Sequence, residues 1–203
     1  MHLLANNALS GFFSWVQPYD QSLLERINTS WKHPFLDTLT PFFRETQFWY
    51  PLYLFLLLFV VYNHGSKGWW WLLAALLTAA LADILSSQII KENIERLRPC
   101  RDPEVAQHIR FFVKYCPKSS SFTSSHATSH FAQAMFFFQT IRSFGRWSYL
   151  FFVWASLIAY SQVYVAVHYP LDVLCGGILG LLLGWGMAKM YHKQAGFLSF
   201  EKE

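Results

Sequence analysis

The chain has 203 residues, of which 54% are hydrophobic, 19% aromatic and 14% charged, against about 25% charged in an average soluble domain. That composition excludes a disordered chain and a disulfide-dense miniprotein, and a net charge of +4 is too small to argue for nucleic acid as a partner. The 16 Lys/Arg and 12 Asp/Glu lie between long uncharged stretches, the pattern of an all-α integral membrane protein.

Residues 1–45 are read as interfacial. Leu23, Leu24, Ile27 and Trp31 recur at helical spacing beside Glu25 and Arg26, and Phe35, Leu36, Leu39, Phe42 and Phe43 do so beside Asp37 and Arg44. These predict two amphipathic helices on the membrane surface, broken at His33-Pro34. Leu3 to Val16 is too polar and too short to span, and it lacks the basic start and cleavage site of a signal peptide.

Residues 46–192 are read as one bundle of about five spanning helices, since a span needs about 20 mostly apolar residues. The expected spans run from about Phe48 to Tyr62, Trp69 to Ile90 (interrupted by Asp83), Ser124 to Ile141, Trp147 to Val167, and Leu171 to Tyr191. Trp49, Trp69, Trp147 and Tyr191 at their ends fit interfacial belts. Residues 193–203 read as a polar tail, and residues 91–123 as a long loop on one side of the membrane.

Cys100 and Cys116 flank that loop, while Cys175 lies alone in the fifth span. A bridge between the first two would persist only in an oxidising compartment; the competing reading is two separate thiols. With short connections elsewhere, the loop is expected outside the cytoplasm, although its seven basic residues leave charge bias ambiguous.

Three polar clusters sit at span ends, where polar groups at membrane depth need a reason. Lys91 and Arg98, seven residues apart, would share one helical face up to the stop at Pro99 and suit an anion; singly, each is explained by snorkelling to headgroups. Ser124, Ser125 and His126 open the third span, where helix N-terminal N–H groups cradle phosphate, or where Thr123 or Ser124 merely caps the helix. Ser161-Gln162, His168 and Asp172 form the third cluster. Asp172 is placed to hold the His168 imidazole by one nitrogen, or only to complement a helix dipole. Alternating topology brings all three to one membrane face.

Together the clusters resemble the type 2 phosphatidic acid phosphatase family, the membrane branch of a superfamily that includes vanadium haloperoxidases. The family pattern K-x-x-x-x-x-x-R-P is complete from Lys91 to Pro99; P-S-G-H appears as Thr123-Ser124-Ser125-His126; and S-R-x-x-x-x-x-H-x-x-x-D appears as Ser161 to Asp172 with Gln162 replacing Arg. The resemblance covers about residues 34–190 and implies a metal-independent, cofactor-free hydrolase of a membrane lipid phosphate or pyrophosphate. By it, His168 attacks phosphorus, Asp172 orients it and His126 protonates the leaving oxygen. Lys91, Arg98, Ser124, backbone N–H groups near Ser125, and Gln162 hold the other phosphate oxygens. Gln162 keeps donors but loses the charge and fork of Arg, for which Arg96 or Arg101 is a candidate replacement. The expected substrate is phosphatidate, phosphatidylglycerophosphate, undecaprenyl pyrophosphate or lipid A, reached from the outer face of a bacterial inner membrane. A catalytically weak lipid-phosphate binding or transport protein is the alternative, and a haloperoxidase is disfavoured because those enzymes are soluble. Gly176, Gly180 and Gly184 are read as a close-packing ridge.

Overall fold

In the computed structural model residues 2–195 are described, and among them there is no strand. Helix α1 (His2–Glu25) runs into a π-helical stretch, Arg26–Ser30, and α2 (Pro34–Phe43) follows. The break between them falls at His33-Pro34 as expected: His33 is extended and its Nδ1 accepts from Phe35 N–H, while Pro34 opens the helix, where its missing N–H matters least. The first helix begins far earlier than the apolar periodicity near Leu23 suggests.

Helices α3 (Tyr50–His64) and α4 (Ser66–Asp83) form a hairpin turned by Gly65, whose φ of +53° is open to glycine but strained for other residues. A π-helical stretch, Ile84–Ile90, and the single turn α5 (Lys91–Asn93) extend α4. Helices α6 (Ser125–Thr140), α7 (Leu150–Tyr164) and α8 (Pro170–Ala195) complete the order. Among the described residues, three helical segments are long and apolar enough to cross a membrane: Thr46–His64, Ser66–Asn93 and Pro170–Ala195. At 16 and 15 residues, α6 and α7 are shorter than the about 20 a full span needs. Residues 196–203, most of the expected polar tail, lie outside the described residues.

The bundle is greasy outside as well as in. Leu58, Leu76, Leu174 and Leu182 are each about 60% exposed, as lipid-facing residues must be, because hydrocarbon replaces water there. Helix α6 runs through the middle, its buried Ala127, Ala132 and Ala134 keeping it slim. Against it, α8 presents Gly176, Gly180 and Gly184, where an added Cβ would strike the carbonyls of Ser124, Thr128 and Ala132. The glycine ridge therefore sets how closely the backbones approach. Trp71, Phe136, Phe137, Trp154 and Tyr191 fill the far end, and the Trp71 indole donates to Thr140 Oγ1 at 2.7 Å.

The loop between α5 and α6 corrects one expectation. Lys91 and Arg98 do not share a helical face, because helix ends at Asn93 and Ile94 is extended (φ −125°, ψ 107°). Arg98, restricted by the following Pro99, is extended too. The segment pairs with the chain returning to α6: Ser121 N–H donates to Arg96 O (2.8 Å), and Ser120 Oγ donates to Ile94 O (2.6 Å). Extended chain alternates its side chains, so Arg96 and Arg98 are both buried while Leu97 points outward. Cys100 and Cys116 are joined in a disulfide that closes this loop. Reducing it is expected to lower stability by about 3 kcal/mol and to weaken the setting of Arg98, two residues from Cys100. Thermal unfolding and turnover in detergent, with and without dithiothreitol, measure both.

Candidate active site

The loop, the N-terminus of α6 and the turn between α7 and α8 meet at one end of the bundle. His168 lies in that turn, 2% exposed, with its N–H bonded to the carbonyl of Gln162 at 3.2 Å. Ala166, at φ +62°, provides the reversal that brings the imidazole back over the helix end. Arg98 Nη1 donates to His168 Nε2 at 3.1 Å, which assigns a lone pair to Nε2 and the ring proton to Nδ1. Nδ1 faces Asp172 Oδ2 at 3.6 Å, with Ser121 Oγ 3.4 Å from the same nitrogen. Ser121 donates to Asp172 Oδ2 at 2.5 Å, and Tyr169 N–H donates to it at 2.9 Å. The carboxylate is fixed, and it fixes the ring.

Arg96 completes this support. Its Nη1 donates to Asp172 Oδ1 at 2.6 Å, while Nη2 donates to Asp20 Oδ2 (2.7 Å) and Gln17 Oε1 (2.8 Å) of α1. The guanidinium lies over Tyr169 at 4.2 Å and Phe13 at 4.9 Å. Asp20 also accepts from Leu171 N–H at 2.9 Å, tying α1 to the first turn of α8. Arg96 is thereby committed to carboxylates, and Arg101 donates to Lys118 O at the exposed rim (3.1 Å), so neither replaces the arginine absent at Gln162.

Arg98 is held from outside by Ser119: Nε donates to its carbonyl at 3.0 Å and Nη2 to its hydroxyl at 3.1 Å. Burial draws its guanidinium down to about 10, which leaves it charged at neutral pH. Lys91 has no hydrogen-bond partner among the described residues, and its charge reaches Arg98, His126 and His168. His126, in the first turn of α6, lies within electrostatic reach of His168, Lys91 and Arg44. Of the two histidines and two cations expected together, Arg98 and His168 are in contact, and Lys91 and His126 lie within electrostatic reach of His168.

Two expected phosphate ligands have other partners. Ser124 is the N-cap of α6, its Oγ accepting from Ala127 N–H at 3.4 Å. Ser125 Oγ accepts from Ser86 Oγ at 2.6 Å and lies 2.9 Å from Ser87 Oγ. Ser87 gives its own proton to Asp83 at 2.9 Å, which leaves Ser125 to donate to Ser87. The hydroxyl that replaces the motif glycine thus anchors α6 to the π-helical stretch below. Gln162 is fully buried, and neither polar atom of its amide has a hydrogen-bond partner among the described residues. His130 donates from Nδ1 to His126 O at 2.7 Å and lies 3.4 Å from Tyr53 OH, an arrangement that steadies His126 from behind.

From His126 and Ser125 a cavity of about 650 Å³ runs between α3, α4 and α6, lined mainly by apolar side chains such as Leu56, Leu72 and Ala75. On the other flank, α1 and α2 clamp the loop: Arg110 forms a two-bonded ion pair with Asp37 (3.0 and 2.7 Å), and Asn28 brackets the Arg110 backbone (2.7 and 2.6 Å). The Arg110 guanidinium beside Asp37 holds that carboxyl below the usual carboxylate range. Sequence reasoning missed Ser121 and Asp20 as site residues, and it read Arg96 as a candidate phosphate ligand where the structure makes it the partner of Asp172 and Asp20. Neither Ser121 nor Asp20 carried a motif signal.

Among known proteins, two similar chains are the lipid A 4'-phosphatases of Porphyromonas gingivalis (28% identical over 163 residues, 79% of this chain and 68% of that protein) and Bacteroides thetaiotaomicron (29% over 163 residues, 79% and 72%). The crystal structure of a transmembrane phosphatidylglycerolphosphate phosphatase from Bacillus subtilis shares the fold, with a TM-score of 0.66 over 95% of each chain at 23% identity. Residues 68–195, which contain the loop, both histidines and Asp172, match the PAP2 superfamily, and the chain belongs to it.

Proposed function

We propose that this membrane protein hydrolyses the phosphate monoester of a lipid headgroup through a phosphohistidine on His168, and that its substrate is a lipid A-type glycolipid phosphorylated at the 4' position. The observation that carries the chemistry is the pairing of Arg98 Nη1 with His168 Nε2 at 3.1 Å: the only lone pair of the imidazole points into the cation cluster. A phosphate dianion entering there takes up the N–H groups of Arg98 and the charge of Lys91, and releases Nε2 to attack. Nε2 forms the bond to phosphorus as the bond to the lipid oxygen breaks, and His126 gives its proton to that oxygen. Asp172 stabilises the positive charge that develops on His168. Water then attacks phosphorus, its proton passes to His126, and the P–N bond breaks to return His168 and inorganic phosphate.

The apolar cavity beside His126 suits an acyl chain, which accounts for a phosphatase built into a membrane. The substrate choice rests on the two lipid A 4'-phosphatases among its relatives. In the membrane, α3, α4, α6, α7 and α8 make five spans, α1 and α2 lie at the interface, and residues 46–192 form the catalytic bundle. The Cys100–Cys116 disulfide supports an active site outside the cytoplasm, on the periplasmic face of a bacterial inner membrane. Release of inorganic phosphate in detergent from lipid A, phosphatidate, phosphatidylglycerophosphate and undecaprenyl pyrophosphate tests the assignment. Lipid A is expected to give a kcat/KM at least about 10-fold above the others, a difference of about 1.4 kcal/mol in transition-state binding. Equal or better turnover of a glycerophospholipid overturns the substrate, and no phosphate release from any of them overturns the reaction.

A further inference from the structure

The third motif lacks its arginine, and the structure shows that no neighbour in the motifs replaces it. Arg96 is bound to Asp172 and Asp20, Arg101 points to the rim, and Gln162 is sealed in without hydrogen-bond partners among the described residues. One further cation reaches the site from outside the motifs. Arg44 follows α2 as its C-cap and precedes Thr46, which lines the cavity together with Ser125 and His126. Its side chain is 11% exposed, and its nearest carboxylate is Glu45 at 4.0 Å, too far for a hydrogen bond and itself 58% exposed. Arg44 Nε is buried with no hydrogen-bond partner among the described residues.

A buried guanidinium so weakly paired is unfavourable where it sits unless an anion joins it. Its surroundings do not supply one. The charge of Arg44 reaches Arg98 and His126, and at His126 it acts more strongly than that of Lys91. Asp172, the carboxylate closest to the reaction, is already taken by Arg96, Ser121 and Tyr169 N–H. Lys91 therefore acts on both histidines, Arg98 on His168 and Arg44 on His126 and Arg98, and the repulsion among these charges is relieved by a dianion placed among them.

We propose that Arg44 is a phosphate-binding residue, supplied by the N-terminal α2 segment in place of the motif arginine that Gln162 has replaced. It extends the phosphatase reading by adding a substrate contact that lies outside residues 68–195, the portion matching the family. The α2 segment then does more than clamp the loop: it completes the anion site and couples headgroup binding to the interface.

The test uses inorganic vanadate and inorganic phosphate as competitive inhibitors, with lipid phosphate as substrate, on the full chain in detergent. Arg44→Gln is expected to weaken both inhibitors about 10- to 100-fold and to lower kcat/KM by a similar factor, the loss of one charge-assisted hydrogen bond. Arg44→Lys keeps the charge without the fork and recovers part of the loss. Adding Gln162→Arg to Arg44→Gln restores inhibitor affinity, and Lys67→Gln, an exposed charge at the opposite end of the bundle, changes neither constant. Wild-type protein provides a second measurement that needs no folded variant: vanadate slows modification of Arg44 by phenylglyoxal, mapped by mass spectrometry, by about 10-fold or more. Unchanged inhibition in Arg44→Gln, or, if that variant does not fold, an unprotected Arg44, overturns the proposal. Either result leaves the phosphatase reading standing, which falls instead if His168→Ala still turns over substrate.

Discussion

His168→Ala loses about four or more orders of magnitude in kcat, while His126→Ala loses activity in proportion to how poor the leaving group is. The two histidines are distinguished by what each does to phosphorus and to the departing oxygen. Without Nε2 there is no atom to receive the phosphoryl group, so every substrate is lost alike. Without the acid, a lipid sugar alkoxide leaves unprotonated and slowly, whereas a nitrophenolate, already stable as an anion, needs little help. Measured with lipid phosphate and with p-nitrophenyl phosphate, His126→Ala is expected to lose at least about 100-fold more on the lipid. Equal losses on both substrates would take the acid role away from His126. Acid-quenched wild-type enzyme should carry an acid-labile phosphoryl group on His168.

The pH profile follows from the same geometry. Burial, reinforced by the charges of Arg98 and Lys91, holds the His168 imidazole down to about 4 against the pull of Asp172. The nucleophile must be unprotonated, so the acid limb of kcat/KM lies near pH 4, well below the ordinary histidine value of 6.5. His126 must hold a proton in the substrate complex, where the bound phosphate dianion offsets the cations around it, and kcat declines on the alkaline side as that proton is lost. Stability shifts in the same window: between about 4 and 6.5 the unfolded chain binds a proton at this position that the folded chain refuses, so folding weakens as pH falls through it. An acid limb that breaks at pH 6 or above contradicts this placement of His168.

The spacing of chemistry was legible in the sequence because it is carried by side chains whose type is restricted: two histidines, an aspartate, and cations at motif intervals. The helices were legible as elements because lipid admits only apolar helices of sufficient length, but three of the described ones reach spanning length, and α6 and α7 are shorter than their apolar runs. The path of the chain between the motifs was less accessible. Residues 91–98 have a helix-compatible composition, and only pairing with Ser120 and Ser121, more than twenty residues away, pulls the chain straight after Asn93. That straightening turns Arg96 inward beside Arg98 and makes it a partner of Asp172 instead of a phosphate ligand. Ser125 is a similar case. Its hydroxyl acquires a meaning only when Ser86 and Ser87, rotated by a π-helical stretch, arrive beneath it. Asp20 and Arg44 carried no local signal at all, because an acid or a cation on an amphipathic helix is ordinarily solvated.

Arg96→Gln is expected to destabilise the protein by about 3–5 kcal/mol and to remove most of its activity. Arg96, Asp20 and Asp172 are 8%, 5% and 0% exposed, so the substitution leaves two carboxylates buried without their shared counter-charge. Asp172 would then either take a proton, losing its hold on His168 Nδ1, or remain charged at a high energetic cost. Arg96→Lys rescues little, since one ammonium cannot donate in the plane to both acids while lying between Phe13 and Tyr169. Asp20→Asn separates support from chemistry. It removes the charge and keeps one of the two acceptor oxygens, which serve Leu171 N–H and Arg96 separately, and it leaves the bond from Arg96 to Asp172 in place. Thermal unfolding in detergent should therefore fall much further for Arg96→Gln than for Asp20→Asn, and kcat should follow the same order. A double variant carrying both changes removes one orphaned carboxylate together with the guanidinium. It should unfold at a higher temperature than Arg96→Gln alone, because an unpaired buried charge is worse than none. If instead the losses simply add, the three side chains act independently, and the account of how Asp172 is kept aimed at His168 fails with them.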